Sequence, residues 1–195
     1  MDNKLVKRCL NLIILSFILI ALTFVLAIVI GFIDVNNEGA IIAIARVASI
    51  IALLAGVPSF IGYYYGKKGG NKCFGIAFWI QVGVIAMNIV MIVFDFCNVT
   101  NSALLITFNV ISTLCSISVS FFSCFGCKEA VPEMNKLAIW TFVFYGVALL
   151  LSLISRVITP ANVAEAFTII GGLVALVGII LYVTLIVKTR NRIPN

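Results

Sequence analysis

Six apolar runs, Cys9 to Phe32, Ala40 to Tyr64, Phe74 to Phe94, Ala103 to Phe125, Leu137 to Ile158 and Val163 to Val187, take up most of this chain and leave only short polar connections. Each reaches the roughly 20 residues that a helix needs to cross about 30 Å of hydrocarbon. In hydrocarbon a backbone amide finds no partner but the chain itself, so each run is expected to close its own hydrogen bonds as a helix. A closed barrel calls for alternating polar residues, which these runs lack. A soluble fold is excluded as well. With 63% hydrophobic residues, 10% charged residues and a mean hydropathy of +1.24, a globule of 195 residues would turn large apolar areas towards water. The expectation is an all-α membrane protein of six transmembrane helices, a single integral membrane domain over residues 1–195. The first run is too long for the core of a secretory signal and is read as a retained helix.

Orientation is expected from the cations, because Lys and Arg accumulate on the cytoplasmic side of membrane proteins. Lys4, Lys7 and Arg8 precede the first run, and Lys67, Lys68 and Lys72 separate the second from the third. Lys128 and Lys136 follow the fourth, and Lys188, Arg190 and Arg192 follow the sixth. The opposite connections carry Asp34, Glu38, Asp95 and Glu165, with Arg46 and Arg156 as their cations. Both termini are therefore expected in the cytoplasm, with the plasma membrane as the host bilayer. The net charge of +6 follows from this asymmetry. It gives no reason to expect nucleic-acid binding, although a basic rim attracts anionic membrane lipid.

A period of 64 residues relates Arg8, Lys72 and Lys136, and it aligns Cys9 with Cys73 and Leu137. It also superposes three polar turns: Asp34-Val35-Asn36-Asn37, Asn98-Val99-Thr100-Asn101 and Asn162-Val163-Ala164-Glu165. Agreement at both kinds of connection without a gap suggests three hairpin repeats, over 1–64, 65–128 and 129–195.

Small residues recur at every fourth position of the descending helices, a spacing that keeps them on one face and lets helices approach closely in lipid. Ala48, Ala52 and Gly56 form the stripe of the second helix, and Ser112, Ser116 and Ser120 that of the fourth. Gly171, Ala175 and Gly178 form that of the sixth, slightly out of register. These faces suit a packed bundle centre, and they suit a homo-oligomer or a membrane-protein partner equally well.

Polar residues inside a span are costly and are default candidates for function. Those singled out as polar or ligand contacts are Arg46, Gln81, Asn88, Asn109 and Glu165. Arg46 lies near enough to a boundary to snorkel or to pair with Asp34, Glu38 or Glu165. Gln81 and Asn88, seven residues apart, share a helix face, where they either line a polar track or bond neighbouring helices. Gly56-Val57-Pro58 is expected to kink the second helix, and broken helices of transporters use such points to expose carbonyls.

Six cysteines include a Cys-x-x-Cys at Cys124 and Cys127. The pattern occurs in thiol-dependent redox enzymes, yet the topology puts it on the reducing face, where the simpler role is a small apolar filler. The chain has no histidine, which removes His-dependent triads, zincin helices and histidine haem ligation. No phosphate loop, Gly-x-Ser-x-Gly elbow or close intramembrane carboxylate pair is present. No enzymatic activity, metal or cofactor is expected.

The three-hairpin plan, together with Pro160, Gly171, Gly172, Gly178 and Ile179 in the last unit, resembles the HdeD-like short-repeat membrane proteins. That resemblance implies a non-enzymatic membrane protein acting by interaction or in stress tolerance, with no catalytic residues to carry over. The alternative is a small-solute transporter or the substrate-binding subunit of one. The alternative requires a polar cavity walled by the intramembrane polar residues, whereas a scaffold requires those residues to pair with one another.

Overall fold

The fold comes from a computed structural model that describes residues 1–31, 38–97, 101–157 and 161–194. Side chains are described for residues 1–22, 43, 44, 46, 47, 50, 51, 53–94, 96, 97, 101, 103–155, 166, 167 and 170–194. Among the described residues the chain is all-helical. It comprises α1 (Asn3–Gly31), α2 (Glu38–Lys68), α3 (Lys72–Phe96), α4 (Ser102–Ala130), α5 (Asn135–Val157) and α6 (Ala161–Arg192), with a 3-10 turn at Pro132–Met134 between α4 and α5. Five helices contain segments long and apolar enough to cross a membrane: Asn3–Leu22, Lys72–Phe94, Ala103–Ala130, Pro132–Ser155 and Ile170–Arg192. The remaining helix, α2, is long too and runs through Pro58.

The helices are packed as a ring in chain order, and α6 returns against α1 and also meets α4. The most extensive contacts are within the pairs α1–α2, α5–α6 and α3–α4. Large apolar side chains such as Leu15, Ile18, Leu54, Leu173, Leu176 and Ile180 stand outward around the ring. In hydrocarbon that exposure carries no penalty, so cohesion has to come from close packing and from hydrogen bonds between helices.

Both kinds of cohesion are concentrated at the end that carries the two termini. Val6, Cys9, Leu10, Phe74, Cys124, Cys127, Leu185 and Ile186 are completely buried there. Asn71 is the knot. Its Oδ1 accepts from the Phe74 amide at 2.8 Å and so caps α3. Its Nδ2 donates to the Gly126 carbonyl of α4 at 2.8 Å, and its own amide donates to Gly66 of α2 at 3.1 Å. Gly70 makes the preceding turn at φ +84°, a left-handed conformation that glycine adopts without steric cost.

Phe74 is wedged between two glycines. A Cβ on Gly66 would stand 2.7 Å from the Phe74 Cβ, and one on Gly126 would stand 2.5 Å from its ring. Glu129, at the end of α4, accepts from the Lys72 and Cys73 amides at 3.0 Å each, which satisfies the first turn of α3 from a neighbouring helix. The Asp2 amide donates to Gly69 at 2.8 Å, and Arg192 pairs with Glu133, so the N-terminus, both connections and the C-terminus meet in one layer. The last turns of α2, α4 and α6 carry Lys67 and Lys68, Lys128, and Arg190 and Arg192. Cations there complement the negative ends of the helix dipoles.

Candidate functional site

Packing changes at mid-depth, where the buried residues become polar. A cavity of about 210 Å³ lies between all six helices. α1 contributes Ser16 and Phe17, α2 contributes Gly56, Ser59 and Tyr63, and α3 contributes Gln81 and Asn88. Ser116 and Ser120 of α4, Tyr145 of α5 and Tyr182 of α6 complete it. A second cavity of about 280 Å³ shares Asn88 and Ser116 with the first and continues past Asn109, Ser112, Thr113 and Ser152. A third, of about 340 Å³, runs between α5 and α6 from Tyr145 past Ser152 and Ser155 to Gly171, Gly172 and Ala175. The three share wall residues and lie in series, a track that leads from mid-depth towards the end opposite the termini, polar in the first two cavities and mainly apolar in the third.

Its floor is hydroxylic. Tyr182 donates to Ser123, and the Tyr63 hydroxyl lies 3.5 Å from that of Tyr182. Phe17 and Tyr145 pack against the Tyr182 ring, with centroids 5.0 and 5.8 Å away. Below this layer the wholly buried Cys9, Cys124, Cys127 and Phe74 close the bundle towards the termini.

The walls are satisfied unevenly. Ser16 donates to the Ala55 carbonyl of α2 at 2.6 Å and ties α1 to the turn before Pro58. Proline lacks an amide, so the Leu54 carbonyl one turn before Pro58 loses its helical donor, next to the Ala55 carbonyl that Ser16 reaches. Ser59 donates to Gly56 at 2.8 Å, while Ser116 and Ser120 donate to Ser112 and Ser116, each at 2.9 Å. Asn109 donates to Leu105 at 2.9 Å. The carboxamides of Gln81 and Asn88, by contrast, have no hydrogen-bond partner among the described residues. Gln81 is only 9% exposed, and its Nε2 faces α2, 3.8 Å from where a Gly56 Cβ would stand. A buried amide left unpaired costs about 1–3 kcal/mol, and such a group within a cavity is placed for water or a ligand.

The structure thus brings Gln81, Asn88, Asn109, Gly56, Ser112, Ser116, Ser120, Gly171 and Ala175 to the walls of these three adjoining cavities. Arg46 is not among the lining residues of these three cavities. Its guanidinium carbon lies 4.9 Å from the centre of the Phe96 ring. Ala48, Ala52 and Glu165 lie outside the described side chains. Sequence reading missed the Tyr63–Tyr182–Ser123 floor and the serines Ser16 and Ser59, because hydroxyls are common in membrane helices and nothing local distinguishes these. It also missed the close approaches: a Cβ on Gly62 would lie 3.0 Å from the Cys9 carbonyl, and one on Gly178 would lie 3.1 Å from the Tyr145 backbone.

Two other features are chemically distinct from the track. Cys124 and Cys127 are buried in the closed layer as free thiols, and among the described residues no group of three His, Cys, Asp or Glu is placed to hold a metal. A groove of about 450 Å³ at the terminal end is lined by Lys72, Cys73, Phe125, Lys128, Glu129 and Pro132.

Fold and site define the class as a helical bundle with several helices long and apolar enough to span a membrane and a polar cavity between them. Compared with protein-family models, with curated proteins and with solved structures, the chain matches none.

Proposed function

We propose that this protein is a non-enzymatic plasma-membrane protein that binds a small, uncharged polar solute, as a transporter or as the substrate-binding subunit of one. In this reading the chain crosses the bilayer six times as three hairpin repeats. Both termini are cytoplasmic, so the track points towards the outer side. The observation that carries the proposal is the pair of carboxamides, Gln81 and Asn88, unpartnered among the described residues, in a cavity whose described lining holds no charged side chain. A scaffold gains nothing from buried polar groups without partners, whereas a binding site requires them. The absence of charge from the described lining argues for a neutral solute, since an ion moved into a membrane interior without a counter-charge loses far more solvation than hydroxyls return.

The test is thermal stability in lipid nanodiscs across a panel of small neutral solutes. A ligand that binds only the folded state at about 100 times its Kd stabilises by roughly 2.7 kcal/mol, which is readable as a higher unfolding temperature. One chemical class is expected to stabilise the wild type and not the Gln81→Leu/Asn88→Leu variant, which fills the cavity with apolar side chains. If no solute stabilises the wild type, an interaction or stress-protective role with membrane lipids or a protein partner becomes the better reading.

A further inference from the structure

We infer that the solute is a small carboxamide or urea, recognised by a wall of hydrogen-bond acceptors opposite two amide groups. This rests on the solute-binding reading and narrows it. A hydroxyl has one proton, and four serines along the cavity have already placed theirs on backbone carbonyls: Ser16 on Ala55, Ser59 on Gly56, Ser116 on Ser112 and Ser120 on Ser116. Each presents only lone pairs to a ligand. The NH₂ groups of Gln81 and Asn88 and the Tyr145 hydroxyl are the lining donors without a partner among the described residues, and the two carboxamide carbonyls add two more acceptors.

The cavity therefore asks for several N–H donors together with a carbonyl acceptor. A primary amide or urea has that inventory, with NH₂ groups for the serine oxygens and one carbonyl for the Gln81 and Asn88 amides. A polyol fits less well, because each of its hydroxyls brings one donor with two acceptor lone pairs to an acceptor-rich wall. An ammonium has the donors but brings a charge that the lining does not balance, and no acceptor for the two NH₂ groups. The aromatic floor of Phe17, Tyr145 and Tyr182 offers flat faces to a planar group.

The deciding experiment is saturation-transfer difference NMR on the whole protein in nanodiscs, with acetamide, N-methylurea, glycerol and methylammonium as probes, each read through its C–H protons. Acetamide and N-methylurea are expected to receive saturation and to lose it when excess urea is added. Their signals should fall at least fivefold in the Ser116→Ala/Ser120→Ala variant, which removes two acceptors with little change of shape. Saturation of glycerol or methylammonium with none on the amides overturns the assigned class while leaving a solute-binding cavity in place. Silence from all four probes, together with no stabilisation by any solute, overturns both. Should the serine variant fail to fold, the ranking of the four probes on the wild type still decides.

Discussion

The residue on which the closed end depends most is Asn71. One side chain caps α3, holds the α4 backbone through Gly126 and is 99% buried while doing both. Asn71→Ala removes the cap, leaves the Phe74 amide without its acceptor in an apolar layer and takes the interhelical donor from the Gly126 carbonyl, so it is expected to cost about 2 kcal/mol. Asn71→Ser can still cap but is too short to reach α4, and it should fall between Ala and the wild type. Thermal unfolding midpoints in detergent would rank the three, and equal midpoints for Ala and wild type would show that the knot does not hold the layer. Phe74 gives a second residue-scale test. Gly126→Ala places a methyl group 2.5 Å from the Phe74 ring, a contact that forces the ring to move. It should lower the midpoint strongly, by an amount comparable to the 1–3 kcal/mol of overpacked cores, and Phe74→Leu in the same chain should recover part of the loss. The knot was not legible in the sequence. Its partners lie 55 residues apart, and an Asn after two glycines signals a turn without saying which helix that turn will touch.

Among the elements, the helix pairs rest on glycines that act through absence of a side chain. Gly62 of α2 brings α1 close at the Cys9 carbonyl, and Gly178 of α6 does the same against Tyr145 of α5. Gly62→Leu and Gly178→Leu should each separate a pair and lower the unfolding midpoint well below wild type. Gly83→Ala, with nothing within 4 Å of the added methyl, should leave it unchanged or raise it, since alanine favours a helix by roughly 0.5–1 kcal/mol over glycine. Similar losses at all three sites would indicate a general intolerance of substitution and no specific close approach. At this scale the sequence was informative about where helices lie and less so about what their faces meet. The apolar runs mark the helices, yet α2 and α6 continue through Lys68 and Arg192, four or five residues beyond them. Hydropathy detects the stretch that suits hydrocarbon, whereas a helix persists through the interface, where lysine and arginine sit well at its C-terminal end. The fourfold spacing of Ser112, Ser116 and Ser120 fixes their common face, and no local signal says whether that face meets a helix or, as in the structure, a cavity.

The whole molecule is asymmetric along its axis, closed and cationic at the end with the termini and polar-cored towards the other. The two tryptophans, Trp79 and Trp140, are 63% and 59% exposed, and both lie within two or three turns of the helix starts in the closed layer. Lys67 places its ammonium 4.4 Å from the Trp79 ring. Exposed tryptophans beside lysines are what a membrane–water boundary selects, so the closed layer is suited to one interface. If the positive charge there is retained in the cytoplasm, the polar track faces outward, and the cysteines report on it without engineering new sites. Cys97 is exposed at the end of α3 furthest from the termini, Cys73 is half-buried at the start of the same helix, and Cys9, Cys124 and Cys127 are buried. A membrane-impermeant maleimide applied to right-side-out vesicles should label Cys97 and leave Cys73 untouched. Inside-out vesicles should give the reverse, and the three buried thiols should react only after unfolding. Labelling of Cys73 from the outside would invert the molecule, turn the polar track towards the cytoplasm and make any solute it binds an internal one. Labelling of Cys97 from the outside would instead commit the track to solutes arriving from outside, with the Tyr63, Ser123 and Tyr182 layer as the barrier that a transport cycle has to open.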